Sequence, residues 1–144
     1  MAFLRRSKPV RTYQPVHSTA GHVHHTAIAE VELVRSIGVA TFTVTELSES
    51  HGVEQLYELL GVLGELGAQH YVLDTENVRH MDSACLGVLV EALLRISKSG
   101  GKIAIANPDR NVEYLFKMTR LNRVFCLCPD VISAMRAVDP SQAA

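Results

Sequence analysis

The period of the apolar positions changes several times along this chain, and each change marks an element. From Ala27 to Val34 apolar and polar residues alternate, with Ile28, Val31 and Leu33 on the apolar side. Ser36-Ile37-Gly38 reads as a turn, and Val39 to Val44 alternates again. A β-hairpin therefore opens the folded part, with strands near 28–34 and 39–44. Val53, Leu56, Tyr57, Leu60, Leu63 and Gly64 then fall at helical spacing and predict a helix over about 52–66. The run Tyr71-Val72-Leu73 predicts a strand over 70–74. A helix over 84–98 follows, with Leu86, Leu89, Val90, Leu93 and Ile96 inward and Glu91 and Arg95 as an outer i,i+4 pair. Gly100-Gly101 ends it, because glycine takes the left-handed cap without strain.

The rest of the chain repeats the scheme on a smaller scale. A strand at 102–106 closes on Asn107-Pro108, and Val112, Leu115, Phe116 and Thr119 predict a helix over 110–119. A strand at 124–127 and a helix at 130–138, capped by Asp130, complete the pattern. Strand and helix alternate after the hairpin, which predicts a single α/β domain over 27–138. Its sheet should be mixed, with about five strands, about four helices and parallel crossovers.

Residues 1–26 have no apolar period. They hold Arg5, Arg6, Lys8 and Arg11, two prolines, and His17, His22, His24 and His25. Such a stretch cannot bury enough apolar surface to offset its ordering entropy, so a flexible N-terminal tail is expected, with fraying over 139–144. The histidines of that tail read as solvated rather than as a metal site, which needs fixed geometry.

Composition narrows the function classes. Of 144 residues, 47% are apolar and 20% charged, and the formal net charge is −1. That balance provides no global field for nucleic acid or an acidic membrane surface. No apolar run approaches the ~20 residues of a membrane span, and the basic start lacks the apolar stretch of a signal peptide, so a cytoplasmic location is expected. Cys85, Cys126 and Cys128 are an odd number with two only one residue apart, which gives no disulfide framework and only half of a zinc site. No metal or cofactor is implied.

The most informative stretch is Asp82-Ser83-Ala84-Cys85-Leu86-Gly87, which follows a strand and a short link and opens a helix. A serine at a helix start faces unpaired backbone N–H groups and partial positive charge. It can serve simply as an N-cap, the commonest use of such a residue. It also suits a phosphorylation switch, since a phosphate adds roughly −1.5 to −2 charges and three acceptor oxygens. Asp82 could act as a base toward Ser83, but no histidine stands in fixed relation to it and there is no Gly-x-Ser-x-Gly elbow. Gly100-Gly101 ends a helix rather than starting one, so it is no phosphate loop. An enzyme is not the reading these residues favour.

Tyr71-Val72-Leu73-Asp74, then Val78, Met81-Asp82-Ser83 and Leu86-Gly87-Val88-Leu89, resemble the core signature of the STAS domain, named for sulfate transporters and antagonists of anti-sigma factors. The resemblance continues through Gly100-Gly101-Lys102-Ile103-Ala104-Ile105-Ala106-Asn107-Pro108 and Leu121-Asn122-Arg123-Val124-Phe125, and covers about residues 27–138. It implies a regulatory protein–protein interaction module like an anti-sigma factor antagonist. Such a module binds a serine-kinase anti-sigma factor and is switched off when that kinase phosphorylates the serine after the aspartate, here Ser83. The implied partner surface comprises Glu46, Leu47 and Ser48 of the first loop with Asp82, Ser83, Ala84 and Cys85. The chain departs from the family pattern at Cys85, where many members have glycine, and at Thr45-Glu46-Leu47-Ser48, where many read Gly-Glu-Leu-Asp. The rival within the same fold is a non-switching STAS scaffold in a signalling or lipid-transport complex, with Ser83 as a cap only. No direct nucleic-acid contact and no membrane insertion are implied.

Overall fold

The computed structural model describes residues 22–139 and 141. The elements run β1 (Val23–His25), β2 (Ala29–Val34), β3 (Ile37–Phe42), β4 (Glu46–Leu47), α1 (Val53–Glu65), β5 (His70–Asp74) and β6 (His80–Met81). After these come α2 (Ser83–Ser97), β7 (Ile103–Ala106), α3 (Arg110–Met118), a 3₁₀ turn (Leu121–Arg123), β8 (Cys126–Cys128) and α4 (Val131–Val138). The main sheet has six strands in the order β1-β2-β3-β5-β7-β8, and β4 and β6 form a separate two-stranded ribbon. Pairing is antiparallel from β1 to β3 and parallel from β3 to β8. This is the mixed α/β sheet with four helices that the alternating pattern implied, enlarged by one strand.

Side chains on successive strand residues point to opposite faces, and this sheet uses the two faces differently. Ala40, Phe42, Tyr71, Leu73, Ile103 and Ile105 meet α1, α2 and α3 through Leu56, Leu59, Leu63, Leu89, Val112 and Phe116. On the other face Val39, Val72, Ala104 and Ala106 meet α4 through Ala134, Met135 and Val138. The first face is bulky and the second small, so three helices cover one side and a single short helix lies close on the other.

The second strand of the hairpin begins two residues earlier than its pattern suggested, at Ile37. Val34 pairs with Ile37, and the turn is Arg35-Ser36, with Arg35 in the left-handed region at φ 58. Gly38 is therefore a strand residue and not a turn residue. A Cβ there would lie 2.6 Å from Leu63 Cδ2, so glycine is what lets α1 approach β3.

The tail expectation fails at its C-terminal end. Residues 23–25 form β1 against β2, with Val23 opposite Glu32 and His25 opposite Glu30. An edge strand is held by backbone bonds and needs no apolar period of its own. Thr26 shapes the turn, its hydroxyl donating to Ala29 O at 3.0 Å while accepting from Ala29 N–H at 3.0 Å. His25 Nδ1 lies 3.3 Å from the Glu30 carboxylate. Residues 1–21, with the rest of the expected tail, lie outside the described residues, as do 140 and 142–144 of the expected fray.

Two further details of the helices differ. Leu93 is only half-buried, and Cys85, Leu86, Val88, Leu89 and Ala92 form the buried face of α2. The expected pair of Glu91 and Arg95 is not made. Glu91 acts instead on the Tyr57 phenol of α1, whose pKa is raised by hydrogen bonding to this carboxylate, then by its charge, with desolvation adding.

Candidate functional site at the start of helix α2

The parallel strands β3, β5 and β7 end on one edge of the sheet, where their carbonyls need partners outside the ladder. The link from β5 to α2 supplies them. The Thr75 hydroxyl donates to Ala106 O at 3.1 Å, and Asn77 Nδ2 donates to Phe42 O at 2.9 Å. Asn107 Nδ2 donates to Asp74 Oδ1 at 3.0 Å, and Val78 is fully buried beneath the link. These contacts fix the approach to α2 before the helix begins.

The next layer fixes the first loop. Thr45 O accepts from Arg79 N at 2.7 Å, and β4 pairs with β6 so that Glu46 faces His80 and Leu47 faces Met81. Leu47 O then accepts from Asp82 N at 3.1 Å. Two segments more than thirty residues apart in sequence thus run side by side into the start of α2.

Asp82 is the N-cap of α2, in extended conformation at φ −108 and ψ 178. Its Oδ1 accepts from Cys85 N–H at 3.2 Å, and its Oδ2 accepts from Glu49 N–H at 2.9 Å. Burial opposes the charge on this carboxyl. The amides of Glu49, Cys85 and Ala84, with His80 nearby, outweigh burial and hold its pKa below the usual carboxylate range. The capping role expected of Ser83 is taken by its neighbour. Ser83 is the first helical residue, it is exposed, and its hydroxyl makes no hydrogen bond among the described residues.

The residues expected on a partner surface separate by burial. Glu46 and Ser83 are exposed, and Asp82 and Ala84 are half-buried. Leu47, Ser48 and Cys85 are buried, at 0%, 6% and 0% exposure, and present no free side chain to a partner. For Leu47 the cause is strand alternation, which turns Glu46 out and Leu47 in. For Cys85 it is helical rotation of about 100° per residue, which puts it about 200° from Ser83, on the core side. Burial, with Asp82 adding, pushes the Cys85 thiol up to about 11, so it stays protonated as a small apolar group in the core.

Sequence reasoning took in Glu49 and Ser50 only as part of a partner-facing loop over 45–50 and left out His51; all three are exposed at the loop tip. The Ser48 hydroxyl donates to Glu46 Oε2 at 2.8 Å and lies 3.4 Å from the Ser50 hydroxyl. His51 Nδ1 lies 3.0 Å from Ser50 Oγ and 3.6 Å from Glu46 Oε2. A hydroxyl, an imidazole and a carboxylate are together here, but both oxygens address the same ring nitrogen. A relay needs nucleophile and orienting carboxylate on opposite nitrogens, so the cluster shapes a loop and performs no acyl transfer. The signal for it was the polar run Glu46-Leu47-Ser48-Glu49-Ser50-His51, which lacks any period of its own.

Elsewhere, Cys128 is buried and Cys126 half-buried on the edge strand β8, and all three cysteines are free thiols. Among the described residues, no group of three or more His, Cys, Asp or Glu is placed to hold a metal ion, and no helix is long and apolar enough to cross a membrane.

Comparison with known proteins gives a consistent picture. The family model described as STAS domain matches residues 28–134. A Thermotoga maritima protein provisionally named an anti-sigma factor antagonist is 35% identical over 72 residues, which take in 50% of this chain and 64% of that relative. A crystal structure from Thermotoga maritima with the same provisional name superposes with TM-score 0.63 at 26% identity, covering 75% of this chain and 92% of that one. The Bacillus cell fate determinant SpoIIAA, solved in its phosphorylated form, superposes with TM-score 0.58 at 20% identity, over 76% of this chain and 98% of its own. That last likeness speaks to the fold alone.

Proposed function

The chain belongs to the STAS domain family, and from that premise we propose that it is an anti-sigma factor antagonist switched at Ser83. In this reading the unmodified protein binds a serine-kinase anti-sigma factor through Ser83, Asp82, Ala84 and the exposed edge of loop 45–51. The kinase then transfers the γ-phosphoryl group of ATP to Ser83 Oγ. The hydroxyl proton is lost, the O–P bond forms as the bond to ADP breaks, and ADP leaves. The dianion ends the complex, because a desolvated interface accepts a hydroxyl but not an unpaired double charge. The chain itself needs no cofactor and carries out no reaction, and it acts in the cytoplasm as a phosphoprotein of transcription regulation.

One observation carries the proposal: the Ser83 hydroxyl is exposed and uncommitted because Asp82 does the capping. A serine that held the helix start could not be modified without loss of its cap, whereas this one can. The test is to recover partners from the native host, identify a histidine-kinase-like ATPase among them, and incubate it with the protein and ATP. Phosphate on Ser83 by mass spectrometry, with loss of the complex, is the expected result. Phosphate only on other residues overturns the switch and leaves a non-switching scaffold.

A further inference from the structure

We propose that Asp82 is the positioning residue that passes the state of Ser83 to the loop 45–51, so that a partner reads the loop as well as the serine. This rests on the reading of Ser83 as the switched residue. Asp82 divides one carboxylate between two amides, Cys85 N–H within α2 and Glu49 N–H at the loop tip. The other two aspartate caps do not do this. Asp109 and Asp130 accept from the N3 amides of Val112 and Ser133, and neither takes an amide from another element. Among the described residues, Glu49 N–H to Asp82 is the only hydrogen bond that joins residues 48–51 to β6 or α2. The remaining bonds of the tip are its own, through Ser48, Ser50, His51 and Glu46.

A phosphate on Ser83 acts on that single link. At the first position of α2 it competes for the amides of the first turn and repels the carboxylate beside it. The two oxygens of Asp82 share one carbon, so turning away from the phosphate moves both and removes the acceptor from Glu49. Glu46 and Glu49 are themselves exposed carboxylates on the loop, and the added charge pushes them in the same direction. The loop tip is then held only by its own bonds. A partner docked across both segments loses a surface and not merely one hydroxyl.

The test needs no partner. Amide exchange and amide chemical shifts are followed by NMR in the full chain and in Asp82→Ser, Ser83→Glu and the double variant. Serine is a good N-cap but too short to reach Glu49, so Asp82→Ser separates capping from the loop link. Exchange at Glu49 should rise several-fold in Asp82→Ser while the first-turn amides of α2 keep their protection. Ser83→Glu alone should produce the same change at Glu49, and no further change in the Asp82→Ser background, as expected for two residues acting through one link. An unchanged Glu49 amide in Asp82→Ser, or an equal effect of Ser83→Glu in both backgrounds, overturns the proposal. A kinase that leaves Ser83 unmodified defeats the switch reading instead, and the amide result stands apart from it.

Discussion

Helices α2 and α4 begin in the same way and serve different ends. Each starts with an extended aspartate whose Oδ1 accepts from the third helical amide, Cys85 at 3.2 Å in α2 and Ser133 at 2.7 Å in α4. In α4 the chemistry stops there: Ser133, by backbone and side chain, lowers the Asp130 pKa, with slight burial opposing and Arg136 assisting. In α2 the second oxygen reaches 33 residues back along the chain to Glu49, and the residue after the cap is an exposed, unbonded serine. The comparison teaches that a cap becomes part of a site through what its spare oxygen holds and what stands next to it, not through capping itself.

The body of α2, which carries the site, gives the largest expected effect. Leu89 is fully enclosed on the bulky face of the sheet, so Leu89→Ala should lower stability by about 2–5 kcal/mol through lost transfer energy and a cavity. Leu93, half-buried one turn on, should lose distinctly less on truncation. Denaturant unfolding of both variants checks this, and equal losses would mean that α2 is seated differently.

At the helix starts, Ser83→Asp should leave stability within about 0.5 kcal/mol, as for a surface substitution, while binding to a serine-kinase anti-sigma factor falls by an order of magnitude or more. The matching change at the first residue of α4, Val131→Asp, should leave that binding unchanged. Calorimetric titration with the recovered partner decides; a weaker complex with the α4 variant would move the interface to the opposite face.

Removing the caps gives smaller effects. Asp82→Ala should cost about 1 kcal/mol, the usual magnitude of a lost cap, with increased exchange at the Glu49 amide. Asp130→Ala should destabilise α4 without any change at Glu49. Thermal melts with amide exchange separate the two.

The smallest effect concerns acid. A folded pKa lowered below the unfolded value of about 3.9 contributes stability that is present above that pH and lost as pH falls through the folded value. Both aspartates are lowered, so stability should decline below about pH 4. Asp82→Ser should flatten part of that decline, as read from urea midpoints between pH 2 and 5.

Periodicity made the four helices and β2 legible, because each buries one regular face, and β5 and β7 showed as short apolar runs, because the sheet buries both of their faces. It missed β1, whose only assets are backbone bonds at a sheet edge, and the two-residue ribbon of β4 and β6, which is too short to show a period. It misplaced the hairpin turn because Gly38 looks like a turn residue until Leu63 and Ala68 are seen against it. At the site, Asp82-Ser83 was legible as a local motif at a helix start. The Glu49 link was not, since a backbone N–H leaves no mark in a sequence and its partner is distant. Leu47 and Cys85 were assigned to a surface by adjacency, and strand alternation and helical rotation turn them inward.

The unequal faces of the sheet also set what the protein can tolerate under random substitution. Opposite α1 and α2, large side chains fill the space, so harm comes from making them smaller. Under α4, Ala104, Ala106 and Ala134 are fully buried, so harm there comes from making them larger, at a typical 1–3 kcal/mol for an overpacked core. A library that only enlarges residues would therefore strike these alanine positions first, and a library that only shrinks them would leave the same positions almost untouched.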